Sequence, residues 1–430
     1  MNVIFLKSGF ALVCLLALWS TLALGRRLPA DVLAWLARYD VSLLWCAARL
    51  LPFLVVYVFA GFSPESDVAT CFWPQAVGAL AGQVPYRDFE SFFGPFYSYL
   101  LAVPLLVWKD PRAIILWMTL LEALTIALTL RAAKLDAPGV ARTRFLLCCF
   151  LAPGPLLLEV IGGQEDFLLW TFGLLTWAAL SRSRDVLAGS VTAAAMLCTK
   201  VLFLLPLVGF FGLAHSRVRY LAVLVPTGGI AALLLWQLTG TAFLSTLGQS
   251  SNISPPQVWI LLHFLSQGRI PAGTPVISFS VIVVLLLAAF FGAIWRADDL
   301  RKDFAAFAAG WTVLFALLLL LSPKSQGAYF ANFALPCLCL IIDRPRLLVV
   351  WVVAGALAVI EPSLFYRFGE QLPANFAAVR GPAGFLDLAL QALLVTGFAT
   401  LAWHAWKIFR RAPVAHVGAG EAITPLSAGP

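Results

Sequence analysis

The sequence predicts an all-α polytopic membrane protein, and three observations carry that prediction. Hydrophobic residues make up 61% of the chain and charged residues only 12%, where soluble domains carry about 25% charged residues. The mean hydropathy is +0.92. Apolar runs close to the roughly 20 residues that cross a bilayer as a helix recur from end to end. A chain of 430 residues then reads as one integral-membrane domain over residues 1–411, with about 12–13 transmembrane helices and no room for a sizeable soluble domain. Residues 412–430, rich in Gly, Ala and Pro, are expected to form a disordered cytoplasmic tail.

Taken in order, the expected spans are 9–25, 41–62, 113–130, 145–160, 166–181, 185–199, 201–215, 218–238, 277–295, 304–321, 329–342, 347–361 and 385–406. The first has the look of a signal peptide, but Arg26-Arg27 follows it without a clear small-residue cleavage site, so it is kept as a span. Seven of the eight cysteines lie inside apolar runs and only Cys71 in a polar loop, so no disulfide framework is expected. The 15 tryptophans are expected mostly at the membrane interfaces.

Sidedness follows from Lys and Arg. With the clusters around Arg26, Arg131, Arg182, Arg217, Arg301, Arg344 and Arg410 in the cytoplasm, nineteen of the 29 basic residues lie inside and nine outside, and Arg49 falls within a span. That bias satisfies the positive-inside rule and accounts for the net charge of +8 without nucleic acid. The alternation requires the apolar stretch 93–108 not to cross. It is short for a crossing, and its Phe92-Phe93-Gly94-Pro95-Phe96-Tyr97 start is interfacial in character, so it is predicted to lie along the outer surface as a juxtamembrane helix.

On this topology the unusual polar residues gather outside. The first outer loop, 63–112, carries Glu65, Asp67, Tyr86, Arg87, Asp88 and Glu90. A tight loop carries Gln164-Glu165-Asp166, Lys200 stands at a helix end, and Lys324 follows Ser322-Pro323. A second outer loop, 239–276, holds Asn252, His263 and Arg269. The cytoplasmic loops are short and basic, as topology anchors are.

Several of these residues carry a resemblance. Asp67, the amphipathic stretch to Gly82, Val84-Pro85-Tyr86-Arg87-Asp88-Phe89, and Gly94-Pro95 among aromatics resemble the first outer loop of the GT-C glycosyltransferases. Gly162-Gly163-Gln164-Glu165-Asp166 is similar to a loop of the polyprenol-phosphate-mannose-dependent mannosyltransferase branch. Thr199-Lys200 before Leu204-Leu205-Pro206, and Ser322-Pro323-Lys324 before Tyr329 and Pro336, resemble later outer-facing motifs of the superfamily, protein-mannosyltransferase-like branches included. One departure is local: a register that often holds an aromatic just after the first Asp reads Thr70-Cys71-Phe72. The likeness is spread over about residues 60–340, and its strength lies in shared order and sidedness rather than in any single motif. It implies an inverting transfer of a hexose or pentose from a polyprenyl-phosphate donor to a lipid, glycan or protein acceptor. It also implies an active site facing outward from a bacterial cytoplasmic membrane.

The chemistry of such a transfer fits the residues. A carboxylate takes the proton of the attacking hydroxyl, and fixed positive charge stabilises the departing phosphate. By the resemblance Asp67 is the expected base and Asp88 the runner-up or a positioning partner. Lys200, Lys324 and Arg87 are expected to bind the phosphate, and Tyr86, Glu90, Gln164, Glu165, Asp166 and Tyr329 to contact substrate. Plainer readings stand beside these: Asp88 as a partner of Arg87 or a helix cap, Glu165-Asp166 as acids at a helix N-terminus, and the lysines as side chains snorkelling from span ends. No organic cofactor is called for, and a divalent cation fits only if the loop folds Asp67 and Asp88 together.

Arg49 and Glu122 fall at similar depth, roughly 12 Å from the cytoplasmic edge at 1.5 Å per residue. Charges so deep are expensive unless paired, so a structural Arg49–Glu122 salt bridge is predicted. The competing function classes are a transporter or lipid-linked-oligosaccharide flippase, and a non-catalytic subunit of an envelope assembly complex. No internal repeat is clear, and Arg49–Glu122 is the one deep ionisable pair in the sequence reading, which favours the enzyme over a transporter.

Overall fold

The computed structural model describes residues 9, 11–16, 18, 19, 41–64, 67–137, 139–244, 253–367 and 372–411. The described residues form helices, with three isolated backbone bridges and no extended strands. Seven helices are long and apolar enough to cross a membrane: α1 (Val41–Phe59), α4 (Pro111–Ala132), α10 (Arg217–Thr239), α12 (Pro275–Trp295), α14 (Phe304–Leu321), α16 (Pro345–Tyr366) and α17 (Gly381–Phe409). The pair α5 (Val140–Leu151) and α6 (Pro153–Ile161), bent by 45°, makes an eighth if it is one span. Four expected spans appear as shorter apolar helices: α7 (Phe167–Leu180), α8 (Asp185–Cys198), α9 (Val201–Leu213) and α15 (Gly327–Ile341). The protein is an all-α polytopic membrane protein. Only scattered residues of the expected span 9–25 are described, and those are helical. The expected tail at 412–430 lies outside the described residues.

Between α1 and α4 lie two short helices, α2 (Val68–Leu80) and α3 (Tyr97–Leu106). The continuous helix expected over 93–108 starts later, because residues 93–96 are used otherwise. The Gly94 N–H donates to Thr199 O at 2.6 Å and the Phe96 N–H to Leu197 O at 2.8 Å, which ties the first loop to the end of α8. A Cβ at Gly94 would lie 2.5 Å from Leu197 O, so this close approach needs glycine.

Trp170, Trp311 and Trp351 are exceptions to the mostly interfacial placement expected of the tryptophans, since they sit in the core. Each of these three indoles has an acceptor: Thr129 Oγ1 for Trp170 (2.9 Å), Asn332 O for Trp311 (2.8 Å) and Ala334 O for Trp351 (3.1 Å).

Arg49 and Glu122 form a buried two-pronged ion pair, Nε–Oε2 and Nη2–Oε1 both at 2.7 Å. The remaining guanidinium donors go to Ala48 O (3.2 Å), Phe150 O (2.9 Å) and Cys149 O (2.9 Å). Ala48 and Cys149 each stand four residues before a proline, Pro52 and Pro153, whose missing N–H would close an α-helical bond to them. Arg49 therefore neutralises Glu122 and serves carbonyls that two prolines strand inside the bundle.

The pair is not the only deep charge. Glu159, Glu361 and Asp387 are also buried. All three fall at or near the ends of their expected spans.

Candidate functional site

Three loops and the start of α2 meet at one end of the bundle. The first loop is Gly162-Gly163-Gln164-Glu165-Asp166, between α6 and α7. Gly163 has φ +56°, and a Cβ there would also press on Val68 at 2.7 Å, so the turn is built for glycine. It lets the next three polar side chains turn into the bundle, where all are buried.

Lys200, between α8 and α9, reaches both acids: Nζ lies 2.5 Å from Glu165 Oε1 and 2.8 Å from Asp166 Oδ1. The ammonium also stands over the rings of Phe93 (5.6 Å) and Tyr329 (5.3 Å), so the tethered first loop and α15 wall it in. Gln164 Nε2 donates to Asp67 Oδ2 at 3.0 Å. Asp67 does not end α1, as expected, but begins α2 beyond a short loop, and it stays partly exposed while Glu165 and Asp166 do not. Lys324, after α14, lies within electrostatic reach of Lys200. Its segment is held by Ser254, whose N–H donates to Pro323 O at 3.0 Å. Asp67, Gln164, Glu165, Asp166, Lys200, Lys324 and Tyr329 thus converge.

The expected residues of the 84–90 turn do not join them. Asp88 bonds Arg87 (2.9 Å) and accepts from the Val84 N–H (2.8 Å) at the surface. The Arg87 bond and then the Val84 N–H hold its carboxyl down at about 2. Tyr86 donates its hydroxyl to Phe93 O, and Glu90 is exposed. These residues shape the loop from outside. Both Asp88 oxygens are taken up within the turn by Arg87 and Val84, and among the described residues no three His, Cys, Asp or Glu side chains are placed to hold a metal ion.

Electrostatics follow burial. Burial pushes the Glu165 carboxyl up to about 7 against the pull of Lys200, with the Asp166 charge adding to the rise. Burial likewise raises Asp166. Burial opposes the Lys200 charge, but Asp166 and Glu165 outweigh it and hold its pKa well above the ordinary value. Burial and then the Lys200 charge lower Lys324.

Two neutral residues complete the surroundings. Tyr97, stacked on Phe93 at 4.2 Å, faces the acids with an unpartnered buried hydroxyl. Asn332 lies beside Asp166, whose charge it helps to support. Asn332 escaped sequence reasoning, because it carries no charge and sits in an apolar run that reads as plain helix. Asp166 Oδ2, Glu165 Oε2 and Ser325 Oγ are buried without hydrogen-bond partners as well. Buried polar atoms are rarely left unmatched, and their concentration here marks a place shaped for a polar ligand.

A polytopic helical bundle with a cluster of buried charges where its loops meet fits a membrane-embedded enzyme. The chain belongs to glycosyltransferase family 87, whose model matches residues 92–323, more than half its length. The matched range includes Gln164, Glu165, Asp166 and Lys200; Asp67 precedes it and Lys324 and Tyr329 follow it. Neither a curated protein nor a solved structure matches the chain significantly.

Proposed function

We propose that this glycosyltransferase takes its sugar from a polyprenyl-phosphate donor and passes it to a hydroxyl of a lipid, glycan or protein acceptor. The observation that carries the reading is the position of the two lysines. An apolar groove of about 500 Å³ runs between α9, α12, α14 and α17, lined by Pro206, Phe210, Leu285, Trp311, Leu317 and Trp403 among others. The lining residues nearest the lysines are Pro206 on α9, six positions after Lys200, and Leu320 on α14, four positions before Lys324, and from there the groove runs toward Leu213, Leu300 and Phe409. A lipid phosphate suits that layout, with its chain in the groove and its head at the lysines. A soluble nucleotide sugar makes no use of the groove.

In this reading Asp67, the partly exposed carboxylate held by Gln164, is the base. It takes the proton of the acceptor hydroxyl as the oxygen attacks the anomeric carbon. The bond from that carbon to the phosphate oxygen breaks, and the oxygen leaves with the electron pair toward Lys200 and Lys324. A single displacement inverts the anomeric centre. Tyr97 and Asn332 offer donors and acceptors for sugar hydroxyls. The bias of Lys and Arg toward the opposite end of the bundle supports a cleft on the extracytoplasmic side of a bacterial inner membrane.

The test is donor choice. Purified protein in lipid nanodiscs should transfer from polyprenyl-phosphate sugars and release polyprenyl phosphate, and should ignore nucleotide sugars. Transfer from a nucleotide sugar without any lipid carrier would refute the reading.

A further inference from the structure

Three acids and two ammonium groups meet in the cleft. With Asp67, Glu165, Asp166, Lys200 and Lys324 all ionised the group carries one negative charge in excess, and a donor phosphate adds another. Lys200 is only 18% exposed and the side chains of Glu165 and Asp166 4% and 0%, so little water screens like charges there. A phosphate enters such a place most readily when one acid gives up its charge.

Both lysines rise from pinned backbone. Lys200 pairs with Phe93 in an isolated bridge, beside the Gly94 N–H bond to Thr199 O. Lys324 pairs with Ser254 in another, and Trp259 of α11 (Val258–Leu265) donates to Leu321 O at 2.6 Å, three residues before it. A phosphate is thus received by a change of side-chain partners rather than by a shift of the loops.

Glu165 is the acid least committed to its charge. Lys200 donates a hydrogen bond to Asp166 Oδ1 at 2.8 Å, and Asn332 supports the same carboxylate. Glu165 has the Lys200 ammonium alone, 2.5 Å from Oε1, while its Oε2 is buried without a partner. The other titratable groups that face Glu165 are acids, neutral hydroxyls or a thiol, and none offers a positive charge. They are Asp67 and Cys71 from α2 and its start, Tyr97 from α3, Glu159 from α6, Asp166 beside it and Tyr329 from α15. Once Lys200 turns elsewhere nothing offsets the burial of Glu165, and its carboxylate takes a proton.

We propose that Glu165 is a positioning residue that holds Lys200 until a donor phosphate claims the ammonium and then takes up a proton, so that one proton enters with each phosphate. This rests on the reading of a phosphate-linked donor with its head at Lys200. No covalent bond other than the new O–H is made: the carboxylate oxygen gains a proton from solvent, and the ammonium passes from carboxylate to phosphate. Below the Glu165 midpoint of about 7 the proton is already in place. Above it the phosphate-bound state holds more protons than the free one, so affinity falls as pH rises.

The experiment is titration calorimetry of the full-length protein in nanodiscs with a polyprenyl methyl phosphate. This diester keeps a single charge across the pH range used and offers no sugar for transfer. Repeating the titration in buffers of different ionisation enthalpy counts the protons. The wild type should take up about one proton per phosphate near pH 8 and almost none near pH 6. Glu165→Gln should take up none at either pH and bind the probe about tenfold more tightly than wild type near pH 8. On the wild type alone, an infrared difference spectrum near pH 8 should show a protonated carboxyl appearing as the probe binds. A bound probe with no proton taken up, or with no carboxyl band, overturns the inference and leaves the donor reading standing. Uptake that persists in Glu165→Gln puts the proton on Lys324 or Asp67 and overturns it as well. A probe that binds at neither pH removes the phosphate site itself, and the inference with it.

Discussion

Replacing Lys200 with Met removes the ammonium that stands between Glu165 and Asp166 while keeping the length of the side chain. Lys200 is only 18% exposed and its two partners 4% and 0%, so little solvent is at hand to screen the carboxylates left behind. Breaking a buried pair by deleting one partner costs about 3–5 kcal/mol, and that is the expected loss of stability when both acids are ionised. Glu165 sits at about 7 in the folded protein, above the ordinary 4.5. A carboxyl raised on folding binds more protons folded than unfolded between those values. Its contribution to stability therefore falls as pH rises through that window and is level above it. Without Lys200 the burial and the Asp166 charge persist while the opposing attraction is gone, so in the variant the fall continues past pH 7. The gap between wild type and Lys200→Met should be small near pH 5 and widen above pH 7 by up to about 1.4 kcal/mol per pH unit for each proton taken up, until the full cost is reached. Equilibrium unfolding in mixed micelles at several pH values measures it. A gap below about 1 kcal/mol that does not change with pH would refute the three-membered charge cluster.

Further consequences concern the same residues and their supports. If a donor phosphate competes with ionised Glu165 for Lys200, donor KM should rise severalfold as pH climbs above about 7 and stay flat in Glu165→Gln; parallel profiles in steady-state assays would dismiss the competition. Gly94→Ala places a Cβ 2.5 Å from Leu197 O, so it should cost about 1–3 kcal/mol and depress transfer by displacing Phe93 and Lys200; unaltered melting and turnover would show that the tether is slack. Glu122→Gln leaves a buried guanidinium uncompensated and should destabilise by about 3 kcal/mol or more with donor KM unchanged in the fraction that remains folded. A loss under about 1 kcal/mol in unfolding experiments would count against the pairing.

Composition was enough for the fold class because a bilayer admits few other ways to hide a chain so apolar. Charge bias and depth placed the Arg49–Glu122 contact, since equal depth on neighbouring spans leaves one sensible partner. The convergence of Gln164, Glu165, Asp166, Lys200 and Lys324 was legible because charged residues at span ends on one side are conspicuous. Asp88 misled for the same reason: a charge in that loop looks alike whether it faces the cleft or caps its own turn on Val84. Asn332 was invisible because a neutral polar residue inside an apolar run acquires meaning only when its neighbours are known. Glu361 and Asp387 were hidden by helix lengths, since a few residues' difference in a span end decides whether an acid is wetted or buried. The stretch 93–96 escaped as well, because its partner is the backbone of residues 197–199, a hundred positions away.

The central claim is that Asp67 takes the acceptor proton, and the direct measurement is single-turnover transfer from a polyprenyl-phosphate sugar by wild type, Asp67→Asn and Asp88→Asn in the same membrane mimic. Asn keeps an acceptor for Gln164 but cannot act as base, so Asp67→Asn should lower the rate by about 10²–10⁴, or roughly 3–5 kcal/mol at 1.36 kcal/mol per tenfold, with donor affinity within threefold of wild type. Asp88→Asn, already engaged at the surface by Arg87 and Val84, should stay within a few fold. Equal rates for wild type and Asp67→Asn, or a larger loss in Asp88→Asn, would contradict the account.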